Sequence, residues 1–221
     1  MHFEILFRGN LGNVLWTLGE YERALEELNA GLSLSSKFNF ERGTALLQRV
    51  SGGVLKDLGR LEEATGLIER SRDYYIRAKN AMIVEECDES LAGVRGLRGD
   101  AAGAVRDLEA LEPEARKVVA ETFPEFLLER ARFRRLSGDL EGATRDLDEA
   151  ERSPARYRES SLFLAKMEME RAEVDLAAGR TALGKDGMAR ALAKFRALGV
   201  VRYRGASTDP PSSGAENPSG A

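Results

Sequence analysis

Five glycines, Gly19, Gly59, Gly99, Gly138 and Gly179, stand 40, 40, 39 and 41 residues apart, and each interrupts apolar residues recurring at steps of three and four. That step is the signature of a helix with one buried face. A glycine just past the last apolar position closes a helix in a left-handed conformation without a side-chain penalty. A 221-residue chain punctuated this way reads as one unit, helix, turn and helix, written five times. Such units bury their apolar faces only by stacking on their neighbours. The unit is clearest in Asn10 to Leu34, where Leu11, Val14, Leu15 and Leu18 precede Gly19 and Leu25, Leu28 and Leu32 follow it.

The register is supported by three columns. Seven residues before each glycine stand Gly12, Gly52, Ala92, Ala131 and Ala172. Five after stand Ala24, Ala64, Ala104, Ala143 and Gly184, and nine after stand Leu28, Ile68, Leu108, Leu147 and Met188. Small opposite large is how packed helices interdigitate. The spacing predicts repeats over about 3–39, 40–79, 80–119, 120–154 and 155–198. Helices are expected near 3–18, 21–37, 40–58, 61–79, 81–98, 101–111, 122–137, 140–152, 155–178 and 182–198. Pro113 and Pro124 each suit a first helical turn, which leaves room for a short extra helix between Leu111 and Thr122. A repeat domain over 1–199 is thus expected, followed by a disordered Ser/Pro/Gly-rich tail over 200–221.

Composition narrows the function classes. With 43% hydrophobic and 32% charged residues the chain can form a soluble core, and its net charge of -4 offers no broad attraction to nucleic acid or anionic lipid. No apolar run approaches the roughly 18 residues a membrane span needs. Cys87 is the single cysteine, so neither an internal disulfide nor a cysteine zinc site is available, which suits a reducing, cytoplasmic setting. The single histidine, His2, removes Ser-His-Asp, Cys-His and multi-histidine metal chemistry. No phosphate loop of the GxxxxGK[ST] type occurs, and the glycines from Gly93 to Gly103 read as loose helix ends. Glu85, Glu86, Asp88 and Glu89 read as a solvated face, and Cys87 between them as a small buried apolar residue. No catalytic role, metal or cofactor is expected.

The columns resemble the tetratricopeptide repeat, whose marks fall in the first unit on Leu11, Gly12, Gly19, Ala24 and Leu28, and the likeness spans about residues 3–198. It departs at Arg8, where that family usually has tryptophan, at Leu15, where it has tyrosine, and in the missing closing proline of the first two units. Pro154 lies near that place in the fourth unit and Pro113 somewhat early in the third. The period also exceeds the usual figure of about 34, which makes the chain similar to a longer variant found in bacterial signalling ATPases, kinases and regulators. The resemblance implies an all-α, right-handed superhelix of about five helix pairs whose first helices line a concave groove. It implies a non-catalytic module that binds a peptide or protein segment, or alternatively the sensor or regulatory arm of a signalling protein binding a small ligand or peptide.

On that resemblance, residues six and three before each turn glycine face the groove: Asn13, Gly53, Gly93, Arg132 and Glu173, then Trp16, Lys56, Gly96, Arg135 and Leu176. The candidate partner-binding residues are therefore Asn13, Trp16, Arg49, Lys56, Arg132 and Arg135. Trp16 reads either as an aromatic contact for an extended peptide or as core filling. Arg49 and Lys56 would meet a carboxylate or face solvent. The run Glu129 to Arg135 would bind phosphate or acidic peptide, or its arginines pair with Asp139, Glu141, Asp146 and Glu149. The carboxylate clamp of some tetratricopeptide modules is not supported, because Gly9, Val50, Glu86 and Ser90 fill its places beside Asn13. No polar capping helix precedes the first unit, so a partner or a further domain is expected at that end. Oligomeric state is not legible.

Overall fold

Left-handed turns set the architecture. Gly19, Gly59, Gly99, Gly138 and Gly179 have φ of 77°, 76°, 101°, 90° and 77° in a computed structural model that describes residues 2–118, 122–152, 160–204 and 206–207. At the first turn the Gly19 N–H donates to the Trp16 carbonyl at 2.9 Å and the Glu20 N–H to the Leu15 carbonyl at 2.9 Å. These bonds satisfy carbonyls that a helix end leaves without partners. The return turns are closed by non-glycine residues, Asn39 at φ 50° and Lys79 at φ 54°.

The described helices are α1 (His2–Thr17), α2 (Tyr21–Lys37), α3 (Glu41–Asp57), α4 (Leu61–Arg77), α5 (Ala81–Leu97), α6 (Ala101–Val118), α7 (Phe123–Leu136), α8 (Leu140–Glu151), α9 (Ser161–Ala177) and α10 (Thr181–Ala197). They pack in consecutive antiparallel pairs, an all-α helical repeat superhelix. Helices α2 to α5 have 17 residues each. With three-residue turns on both sides, they account for a period of 40. No described helix is long and apolar enough to cross a membrane.

The small and large columns meet as spaced. Ala24, Ala64, Ala104 and Ala143, and one turn further along the same helices Leu28, Ile68, Leu108 and Leu147, are completely buried. A Cβ on Gly12 would lie 2.6 Å from Leu28 Cγ, and one on Gly52 would lie 2.5 Å from Ile68 Cγ1. Glycine there lets the pair close onto a large residue.

Two expectations change. Helix α6 does not stop at 111 but runs through Pro113 to Val118. Beyond the proline, Ala115 is completely buried in a cluster with Phe123 and Phe126, and that burial holds the helix across the lost backbone donor. Pro124 does open α7, as expected. The chain is also packed beyond 199, because Val200 is buried and Arg202–Tyr203 pairs antiparallel with Ala206–Ser207. The rest of the expected tail, 208–221, and the segment 153–159 with Pro154, lie outside the described residues. On α1, Phe3, Phe7 and Val14 are exposed at 80%, 56% and 53%.

Two glycines inside helices should respond oppositely to alanine. Gly66 in α4 has only Arg70 Nη1 near its missing Cβ, at 3.6 Å, so Gly66→Ala is expected to stabilise by about 0.5–1 kcal/mol through helix propensity. A Cβ on Gly96 in α5 would overlap the buried Phe133 ring, so Gly96→Ala is expected to destabilise by about 1–3 kcal/mol. Urea denaturation of both variants checks the sign.

Candidate functional site: the concave groove

The first helices α1, α3, α5, α7 and α9 touch one another in succession along the inner face, and the residues between them are small. A Cβ on Gly53 would overlap the Trp16 ring, and one on Gly93 would come within 3.1 Å of both Glu129 Oε1 and Lys56 Nζ. Gly93 and Gly96 are therefore not loose helix ends: they sit inside α5 and admit side chains that cross it from α3 and α7.

Through the space over Gly93, Lys56 Nζ reaches Glu129 Oε1 at 3.2 Å. The other oxygen of Glu129 meets Arg132 at 3.6 Å and Arg204 at 3.3 Å. Arg204 also binds Glu170 at 2.7 Å, and Arg135 binds the same carboxylate at 2.7 Å and pairs with Glu173. Glu170 has no exposed surface. Burial alone would raise the Glu129 carboxyl, but Lys56, Arg132 and Arg204 outweigh it and hold it well below the usual carboxylate range. Burial likewise disfavours the Lys56 ammonium, and Glu129 and Asp57 more than offset that.

Glu89 stands apart. It lines the same hollow and makes no hydrogen bond or ion pair among the described residues. Burial, followed by repulsion from Glu129, pushes its carboxyl up to about 8 despite Lys56, with Glu125 and Glu86 adding to the repulsion. Glu85, 4% exposed, is pushed up to about 7 by burial and by Asp88 and Glu114. The acidic run is consequently not a solvated face. Glu86 pairs with Arg49 at 2.9 Å, Asp88 pairs with Arg72, and Glu85 and Glu89 point inward. Cys87 between them is fully buried, and burial raises its thiol to about 11, which leaves no thiolate for chemistry.

The segment after α10 crosses this groove. Val200 joins Phe195, Met169 and Ala191 in a cluster that also takes in Leu18 of the first repeat. The Val201 N–H donates to the Leu18 carbonyl at 2.8 Å, and Arg202 Nε donates to the Gly19 carbonyl at 3.0 Å. The Arg202 guanidinium pairs with Glu22 through its two terminal nitrogens and lies 4.8 Å over the Tyr21 ring. Tyr203 stacks on Phe195 with centroids 4.6 Å apart. The two ends of the array thus meet. A Cβ on Gly19 would overlap the backbone of Arg202.

Of the six candidates, Trp16, Lys56 and Arg132 line one hollow of about 170 Å3 with Tyr203 and Arg204, and Arg135 joins them through Glu170. The Trp16 indole N–H donates to Asp57 at 2.7 Å. Asn13 is exposed on α1, and Arg49 lies away from the hollow on Glu86. The arginine run divides. Arg130 and Arg134 grip Asp146 of α8, whereas Arg132 and Arg135 enter the groove. Glu129, Glu170, Tyr203 and Arg204 were not among the candidates, although Glu129 and Glu170 each stand nine residues before a turn glycine.

No protein-family profile and no curated protein sequence matches this chain. Among solved structures it resembles the nearly identical TPR-like repeats of a protein described as a kinesin light chain from Podosopora anserina. The TM-score is 0.55 and the identity 18%, over 88% of this chain and 94% of that one. The likeness shows the fold, a TPR-like repeat array.

The raised carboxyls give the stability a direction with pH. Between about pH 4.5 and 8 the folded chain holds protons on Glu85 and Glu89 that the unfolded chain has released, so stability falls as pH rises through that window. Glu129 acts oppositely and below it, losing its contribution as pH falls under its unfolded value. Denaturation midpoints should decline from about pH 5.5 to pH 8, and Glu89→Gln should flatten part of that decline.

Proposed function

We propose that the chain is a non-catalytic interaction module that holds an extended protein or peptide segment in its concave groove. One observation carries the reading: the groove already holds such a segment, the chain's own Val200 to Arg204, by a main-chain hydrogen bond at Leu18, a guanidinium on Glu22, a stacked tyrosine and a second guanidinium between Glu129 and Glu170. These are the means by which grooves recognise peptides. A preformed groove also loses little entropy on binding. Stacked helical repeats build concave surfaces of this kind.

A protein segment fits better than a small ligand. The groove is contacted along an extended line, from the Leu18 and Gly19 carbonyls and Glu22 to Glu129 and Glu170, a span suited to a peptide. The net charge of -4 and the pairing of Arg130 and Arg134 with Asp146 disfavour nucleic acid. Trp16, Lys56, Arg132 and Arg135 line the part of the groove proposed to hold the partner, the three cations acting through the carboxylates they pair with, with Asn13 at its mouth and Arg49 further along.

The test is retention of a degenerate peptide library by the full chain carrying Y203A and R204A, its helicity checked by circular dichroism. That variant should retain peptides, and the intact chain should retain about tenfold less, the equivalent of about 1.4 kcal/mol. Retention by neither chain contradicts the reading.

A further inference from the structure

The resident segment describes the ligand that would replace it, an inference that rests on the groove reading above. The groove's own cations are already committed. Lys56 and Arg132 share Glu129, and Arg135 holds Glu170 and Glu173. Withdrawing Val200 to Arg204 therefore uncovers carboxylates. Glu22 loses its partner Arg202, and Glu129 and Glu170 both lose Arg204. Glu89, unpaired among the described residues, lies in the same hollow. Two further acceptors open at the end of α1, the Leu18 and Gly19 carbonyls, at the negative end of a helix dipole. Between these anionic seats the Phe195 ring and the Tyr203 position form an aromatic one. The vacated surface reads acidic, aromatic, acidic.

We propose that the partner presents an extended arginine–aromatic–arginine segment, and that Arg202 to Arg204 is a resident copy of that ligand which the partner displaces. Arginine suits both ends. At Glu22 it binds with two nitrogens over the Tyr21 ring, a geometry lysine does not reproduce. Between Glu129 and Glu170 one guanidinium spans two carboxylates. This reverses the expectation of an acidic partner for Arg132 and Arg135, because both arginines are spent inside the groove.

The probe is the peptide Val-Val-Arg-Tyr-Arg, added to the full chain carrying R202A, Y203A and R204A, with the emission of Trp16 as readout, since its ring lines the hollow. The peptide should bind and shift the emission, whereas Val-Val-Glu-Tyr-Glu should not. Adding Glu22→Arg to that chain should weaken the first peptide about tenfold or more. Equal or tighter binding of the glutamate peptide overturns the proposal. Failure of the arginine peptide while library peptides are still retained overturns this inference and leaves the groove reading standing; failure of all peptides removes both. If the triple variant does not fold, the intact chain serves. The arginine peptide at several millimolar, about the effective concentration of a short tether, should accelerate hydrogen exchange at the Val201 amide, and unchanged exchange there overturns the proposal.

Discussion

The close approach of successive first helices over glycine governs the rest of the molecule. Where Gly53, Gly93 and Gly96 lack side chains, Trp16, the Lys56–Glu129 pair and Phe133 fill the space from neighbouring repeats. Within each pair the same device recurs, because Leu28 seats over Gly12 and Ile68 over Gly52. The last helix and the first turn of the array also come together. The cluster in which Leu18 packs with Phe195 and Val200 is that meeting.

Apolar and charged contacts divide the work. Truncating one buried leucine costs about 2–5 kcal/mol, and every repeat contributes such residues, so the alanine and leucine columns carry the stability. Buried ion pairs add little net stability, because removing charge from water consumes most of the attraction. Their effect is selective instead. The fully buried Glu170 carboxylate takes two cations, Arg135 from α7 and a second from the segment that crosses the groove. Arg204 supplies that cation from within the chain.

What was legible follows from distance along the chain. The turns, the helix pairs and the small and large columns depend on neighbours within one 40-residue unit, and a single period reveals them. The groove network does not, since Lys56 and Glu129 are 73 residues apart and Arg202 and Gly19 are 183 apart. Gly93 and Gly96 looked like helix ends because glycine is a poor helix former; the crossing side chains that require glycine there come from other repeats. The acidic run around Cys87 looked solvated because its charges pair across helices, with Arg49 and Arg72. The bound segment had one local sign: Val200 to Arg204 is apolar, basic and aromatic, and Ser/Pro/Gly-rich text follows.

The central claim is that the segment after α10, Val200 to Arg204, seats on the first turn, and the most direct measurement compares two turn glycines of nearly equal φ. Gly19 at 77° has the Arg202 backbone against it, and Gly59 at 76° has nothing within 4 Å. Alanine at either position incurs the same left-handed strain, about 1–2 kcal/mol. The account predicts that Gly19→Ala loses about 1–3 kcal/mol more than Gly59→Ala, the excess being the contact of the terminal segment. Equal losses in the two variants would contradict it.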